Sequence, residues 1–113
     1  MSSSKGWLGS LVDRINTEQL MTFLISAIPE LDNDYQALQT YLQANDWPAA
    51  ARQAYKCKSV VKLLGMNDLL DYLVAIENTN LPVIANAEFH RDLALCYYTY
   101  IHHMKSYLNE QTS

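Results

Sequence analysis

The chain is short of glycine and proline, with three of each in 113 residues. That scarcity leaves few turns for a strand-rich fold, while abundant Leu, Ala, Gln and Tyr favour helices. Cysteine is scarcer still. Cys57 and Cys96 are too few for a disulfide framework and lack metal-ligand spacing. Each falls on an apolar helical stripe, which reads as a buried free thiol. Basic residues are outnumbered, eight against twelve acidic ones, for a net charge of −4. This balance argues against nucleic acid or an anionic membrane as the main partner. No basic start followed by an apolar run marks a secretory signal. The longest uncharged apolar stretch, Gln19 to Pro29, falls short of the ~20 residues that span a bilayer. A cytoplasmic protein is the expectation.

Half of the residues are apolar, enough for a core in one domain of this length. Residues 1–6 read as a flexible tail, 7–110 as a single helical bundle and 111–113 as a second tail. A short amphipathic helix is predicted over Trp7–Ile15, with Leu8, Leu11, Val12 and Ile15 on one face. Asn16 followed by Gln19 reads as a capping box opening a second short helix, which presents Leu20, Phe23, Leu24 and Ile28. Pro29 is expected to mark a bend or restart, after which Leu31, Tyr35, Leu38 and Leu42 form a core stripe. The segment Ala44-Asn45-Asp46-Trp47-Pro48 is a stop and restart, with Asp46 as cap and Pro48 in the first turn. Ala50, Ala54, Cys57, Val61 and Leu64 then share a face until Gly65 ends the helix. Met66, Leu69, Leu73 and Ile76 mark the next helix, ended by Asn78-Thr79-Asn80 and Pro82. The last runs from about Val83 or Glu88 to about Asn109, with Phe89, Leu93, Cys96, Tyr97, Tyr100, Ile101, Met104 and Leu108 as a wide apolar face. The fold class is all-α: an antiparallel four-helix bundle with short additional N-terminal helices.

The segment from Asp46 to Gly65 carries the functional signal. It resembles the phosphotransfer helix of histidine-phosphotransfer domains in two-component phosphorelays. In that family an Asp-Trp or similar pair opens the helix and an alanine precedes the histidine. A lysine follows the histidine by three, a small residue by four, and a leucine-glycine pair at nine and ten. Ala54, Lys58, Ser59, Leu64 and Gly65 occupy those places here, and Tyr55 takes the histidine position. The resemblance covers residues 16–110 of the family's plan.

The departures decide what the resemblance implies. A neutral imidazole is nucleophilic near pH 7, and its phosphoramidate is energetic enough to pass phosphate to an aspartate and back. A tyrosine of pKa about 10 is rarely a phenolate at neutral pH, and its phosphate ester is too stable for a reversible relay. Ser59 replaces the usual glycine and adds a hydroxymethyl group where a receiver domain approaches. The resemblance therefore implies a non-enzymatic protein without cofactor or metal that binds the receiver domain of a response regulator or hybrid kinase. The docking face is then Arg52, Lys56, Lys58, Ser59 and Lys62 around Tyr55. Its four cations are half of the eight basic residues, and they match in sign the acidic pocket of a receiver.

Other readings stay open. The basic face can be a solvated helix surface. The chain can be a plain helical interaction module, including a homodimer, without receiver recognition. His90, His102 and His103 on the last helix are candidates for a displaced phosphoacceptor, although none has the lysine and small-residue surroundings of the motif. The run Tyr97-Tyr98-Thr99-Tyr100, with Tyr107, can form an interaction surface, Tyr98 being the member expected to be exposed. No nucleophile-base-orienter set, glycine-rich phosphate loop or paired carboxylates point to an enzyme.

Overall fold

The computed structural model describes Leu8 and residues 15–112, and among them all regular structure is helical. Helix α1 spans Thr17–Gln43, α2 Trp47–Leu63, α3 Asn67–Glu77, α4 Leu81–Ile84 and α5 Ala87–Thr112. The expected helix over Trp7–Ile15 lies mostly outside the described residues. Within it, Leu8 is buried in the core and Ile15 is exposed just before α1.

Asn16 opens α1 through the expected capping box. Its Oδ1 accepts from the Gln19 amide at 2.8 Å, and Gln19 Oε1 accepts from the Asn16 amide at 3.3 Å. The expected break at Pro29 does not occur. α1 is one continuous helix with Pro29 inside it, so the anticipated short helix after Asn16 is its first half. The reason lies in which face the proline occupies. Pro29 removes the amide that would bond the Ile25 carbonyl, but both residues are exposed and water can take that carbonyl. On the opposite face Leu24, Ala27, Ile28 and Leu31 form an unbroken buried stripe. That burial, at roughly 1.5–3 kcal/mol for each large side chain, outweighs the ~3 kcal/mol of an interior proline.

Three helix ends use the same device. At the ends of α1, α2 and α3, residues Asn45, Gly65 and Thr79 adopt φ of 56°, 72° and 51°. In each case the next amide reaches back to satisfy a carbonyl of the last turn: Asp46 to Tyr41, Met66 to Val61 and Asn80 to Ala75. This left-handed cap suits glycine and tolerates asparagine, but threonine is β-branched and strained there. Thr79→Gly is therefore expected to raise the thermal midpoint, by about 1 kcal/mol of stability. An unchanged or lower midpoint in a calorimetric scan would show the turn to be relaxed.

α2 opens on Asp46, whose Oδ1 accepts from the Ala49 amide at 3.3 Å, with Pro48 in the first turn. α1 packs on α2 and α5, α3 packs on α2 and α5, and short α4 bridges α3 to α5. Leu38, Ala54, Val61, Leu73, Leu93 and Tyr97 are among the residues that meet in the interior. Tyr97 stacks on Tyr35 at 3.8 Å between ring centroids, and its hydroxyl donates to Asp32 Oδ1 at 3.0 Å. α5 continues to Thr112, beyond the Asn109 expected, and so takes in two residues read as tail. Among the described residues no helix is long and apolar enough to cross a membrane.

Burial leaves a pH signature in this core. It pushes the Cys57 thiol up to about 12, with Asp34 adding to the effect, and the Cys96 thiol to about 11, with Asp68 adding. Tyr35 is likewise raised to about 12 by burial and by Tyr98. In the unfolded chain these groups lose their protons near their ordinary values of 9.0 and 10.0. Above about pH 9 the unfolded chain therefore holds fewer protons than the folded one, and stability must fall as pH rises. Urea unfolding under reducing conditions should show a declining midpoint between about pH 9 and 12. A constant midpoint across that window would mean that the thiols and phenols ionise without unfolding.

Candidate functional site

The outward face of α2 follows from its inward one. Ala50, Ala54, Cys57 and Val61 are buried, so the helical period turns Tyr55 and its neighbours at three, four and seven residues to solvent. Tyr55 is 65% exposed. Arg52, Lys56, Ser59 and Lys62 are exposed as well, and Lys58 is half-buried. All six residues read from the sequence thus lie on α2, and Gly65 ends that helix in the left-handed conformation.

The cations are not equivalent. Lys58 Nζ sits 2.6 Å from Glu77 Oε1 at the end of α3, with only 28% and 26% of the two side chains exposed. The same ammonium lies 5.3 Å from the Tyr55 ring centroid, within cation–π range. Lys58 therefore links α2 to α3 and braces the tyrosine ring. Lys56 Nζ lies 3.6 Å from Asp34 Oδ1 on α1. The Asp34 carboxylate is buried, and Gln53 Nε2 donates to the Asp34 carbonyl at 3.0 Å. Arg52 and Lys62 have no such pair among the described residues. The sequence suggests one uniform basic patch, whereas the fold divides it into two lysines paired with carboxylates, the half-buried Lys58 and the exposed Lys56, and two exposed cations without a pair among the described residues. The missed partners, Asp34 and Glu77, each lie nineteen or more residues from the lysine or on another helix, beyond any local spacing rule.

The remaining candidates sit elsewhere. His90 is half-buried with its ring edge-on to Phe89 at 5.8 Å. His102 is exposed and His103 half-buried, their ring centroids 6.0 Å apart. Tyr97 is buried, Tyr100 and Tyr107 are half-buried, and Tyr98 is exposed. Cys57 and Cys96 are free thiols. No group of three or more His, Cys, Asp or Glu among the described residues is placed to hold a metal ion.

One feature escaped sequence reasoning. α3 and α5 diverge to leave a groove of about 660 Å³ lined by Asp68, Asp71 and Tyr72 on one side and Asp92, Cys96 and Tyr100 on the other. Asp68 and Asp71 stand three apart, a usual spacing for a solvated helix face, so only the approach of α5 reveals the groove.

No family model matches this chain, and no curated protein or solved structure matches it.

Proposed function

We propose that the protein is a histidine-phosphotransfer-like module that has lost its phosphoacceptor and acts by binding the receiver domain of a response regulator or hybrid histidine kinase. In this reading α1, α2, α3 and α5 are the four members of an antiparallel bundle, since the three-residue links 44–46 and 64–66 favour antiparallel neighbours, while the longer link 78–86 carries α4 between α3 and α5. The observation that carries the proposal is Tyr55, exposed on α2 beside Arg52, Ser59 and Lys62, with Lys58 and Gly65 at their motif positions. Arg52 and Lys62 attract the acidic pocket of a receiver, and Tyr55 supplies the aromatic anchor at the centre. Occupying that pocket, the module competes with an active phosphotransfer protein or holds the receiver in an assembly.

The test pairs binding with chemistry. The protein, mixed with phosphorylated receiver domains from the same cell, is expected to form a complex and gain no acid-labile phosphate. Tyr55→His is expected to gain it, because Lys58 and Gly65 remain in place. Phosphohistidine at His90, His102 or His103 in the unaltered protein would show a working relay instead. A plain helical interaction module is the second reading, favoured by the Lys58–Glu77 ion pair, which gives the motif's lysine a structural role. Binding to no receiver in the cell's full set would leave that reading standing.

A further inference from the structure

We infer that the groove between α3 and α5 docks a basic peptide segment of a partner protein, taking an arginine or lysine side chain among Asp68, Asp71 and Asp92 beside Tyr72 and Tyr100. The groove's volume of about 660 Å³ falls in the range of roughly 300–1,000 Å³ that ligand sites occupy. Among the described residues its lining holds three carboxylates and one histidine, His103, but no lysine or arginine. The ion pairs among the described residues join Lys56 to Asp34, Lys58 to Glu77 and Arg91 to Glu88, so among the described residues no lysine or arginine pairs with the groove's carboxylates.

The surrounding groups register that charge. Burial, then Asp92, raises the Tyr72 phenol; burial, then Asp68, raises the Tyr100 phenol and the Cys96 thiol. A negative field thus reaches the groups of both walls. Aromatic faces beside carboxylates are the chemistry that recognises guanidinium and alkylammonium groups, by cation–π attraction and charge-assisted hydrogen bonds. Leu95, 68% exposed at the groove, offers the apolar surface along which an arginine or lysine stem lies. A bare divalent cation fits less well, because these carboxylates are not gathered at ligand distance. A second copy of the chain is also disfavoured. Each copy carries a net charge of −4, and two of the four cations on its basic helix are already held by Asp34 and Glu77. The groove is separate from the α2 face and opposite in charge, so either site can fail without the other.

The test is a titration with a short capped peptide of alternating arginine and glycine, followed by nuclear magnetic resonance on the intact chain. The Tyr72, Leu95 and Tyr100 signals should shift, and the peptide with citrulline in place of arginine should leave them unmoved. Asp68→Asn with Asp92→Asn should weaken binding by about tenfold or more, as the loss of charged hydrogen bonds does. Glu30→Gln, the same kind of change on exposed α1, should leave it unaltered. Leu95→Arg, at a site too exposed to unfold the chain, should abolish binding by placing a cation in the groove. The inference is overturned if the citrulline peptide binds equally or if Glu30→Gln weakens binding as much. It is also overturned if the shifts map away from the groove. Concentration-dependent shifts of the groove signals without peptide would assign it to a second copy instead.

Discussion

Leu93→Ala should destabilise the protein by about 2–5 kcal/mol, a large share of the ~5–15 kcal/mol that a domain possesses. Leu93 is fully buried where α1, α2, α3 and α5 converge, beside Leu31, Leu38, Val61, Leu73 and Tyr97. These residues already line a small cavity of about 20 Å³. Truncation enlarges that space, and no single neighbour can fill it without drawing one helix from the other three. The lining is almost wholly apolar, so a water molecule entering it would lack the two to four polar partners it needs. The cost should therefore fall in the upper part of the range. Leu95 provides the control, two residues along the same helix but turned to solvent. Leu95→Ala should stay within about 0.5 kcal/mol of the parent, as surface changes do. Urea unfolding of the two variants measures the rotational setting of α5 directly. Equal losses at Leu93 and Leu95 would mean that the buried stripe is misplaced.

Much of this architecture is legible in the sequence because its signals are local. The Asn16 capping box, the Asp46 cap and the Gly65 terminus each act within a few residues, and the structure places each where the spacing indicates. The stripes from Leu31 to Leu42 and from Ala50 to Leu64 obey the helical period and are buried throughout. What is not legible depends on contacts between distant residues. Pro29 carries a strong local stop signal, yet burial of Leu24, Ile28 and Leu31 along one face overrides it. The stacking of Tyr97 on Tyr35 and its hydrogen bond to Asp32 join residues more than sixty apart. The same holds for the candidate site. Its residues and their exposure follow from the period of α2, but the division of its lysines by Asp34 and Glu77 requires the folded chain.

That division sharpens what charge reversal on α2 should do. In the sequence Arg52, Lys56, Lys58 and Lys62 look alike. In the fold, reversing Lys58 would set two carboxylates together beside Glu77, and reversing Lys56 would do so beside Asp34. The first change mixes a loss of stability with any loss of binding, and the second does so more weakly, because the Lys56 side chain is 68% exposed and surface pairs contribute little. Arg52 and Lys62 carry no such penalty, because both are exposed and neither forms an ion pair among the described residues. Arg52→Glu with Lys62→Glu should therefore leave helicity and thermal midpoint almost unchanged while slowing association with a receiver by about tenfold or more at low salt, the lower end of electrostatic steering effects. The effect should fade as salt shortens the Debye length from ~10 Å at 0.1 M to ~3 Å at 1 M. Tyr55→Ala should act on the other rate. Lys58 Nζ lies 5.3 Å from its ring centroid, and if Tyr55 is the anchor of the proposed docking, its loss should speed dissociation, at about 2 kcal/mol for a central aromatic. Stopped-flow association and surface-immobilised dissociation separate the two effects. A double variant that binds with unchanged rate and salt dependence would place receiver recognition outside α2, and the likeness of Ala54, Lys58, Leu64 and Gly65 to the phosphotransfer motif would then concern the shape of one helix alone.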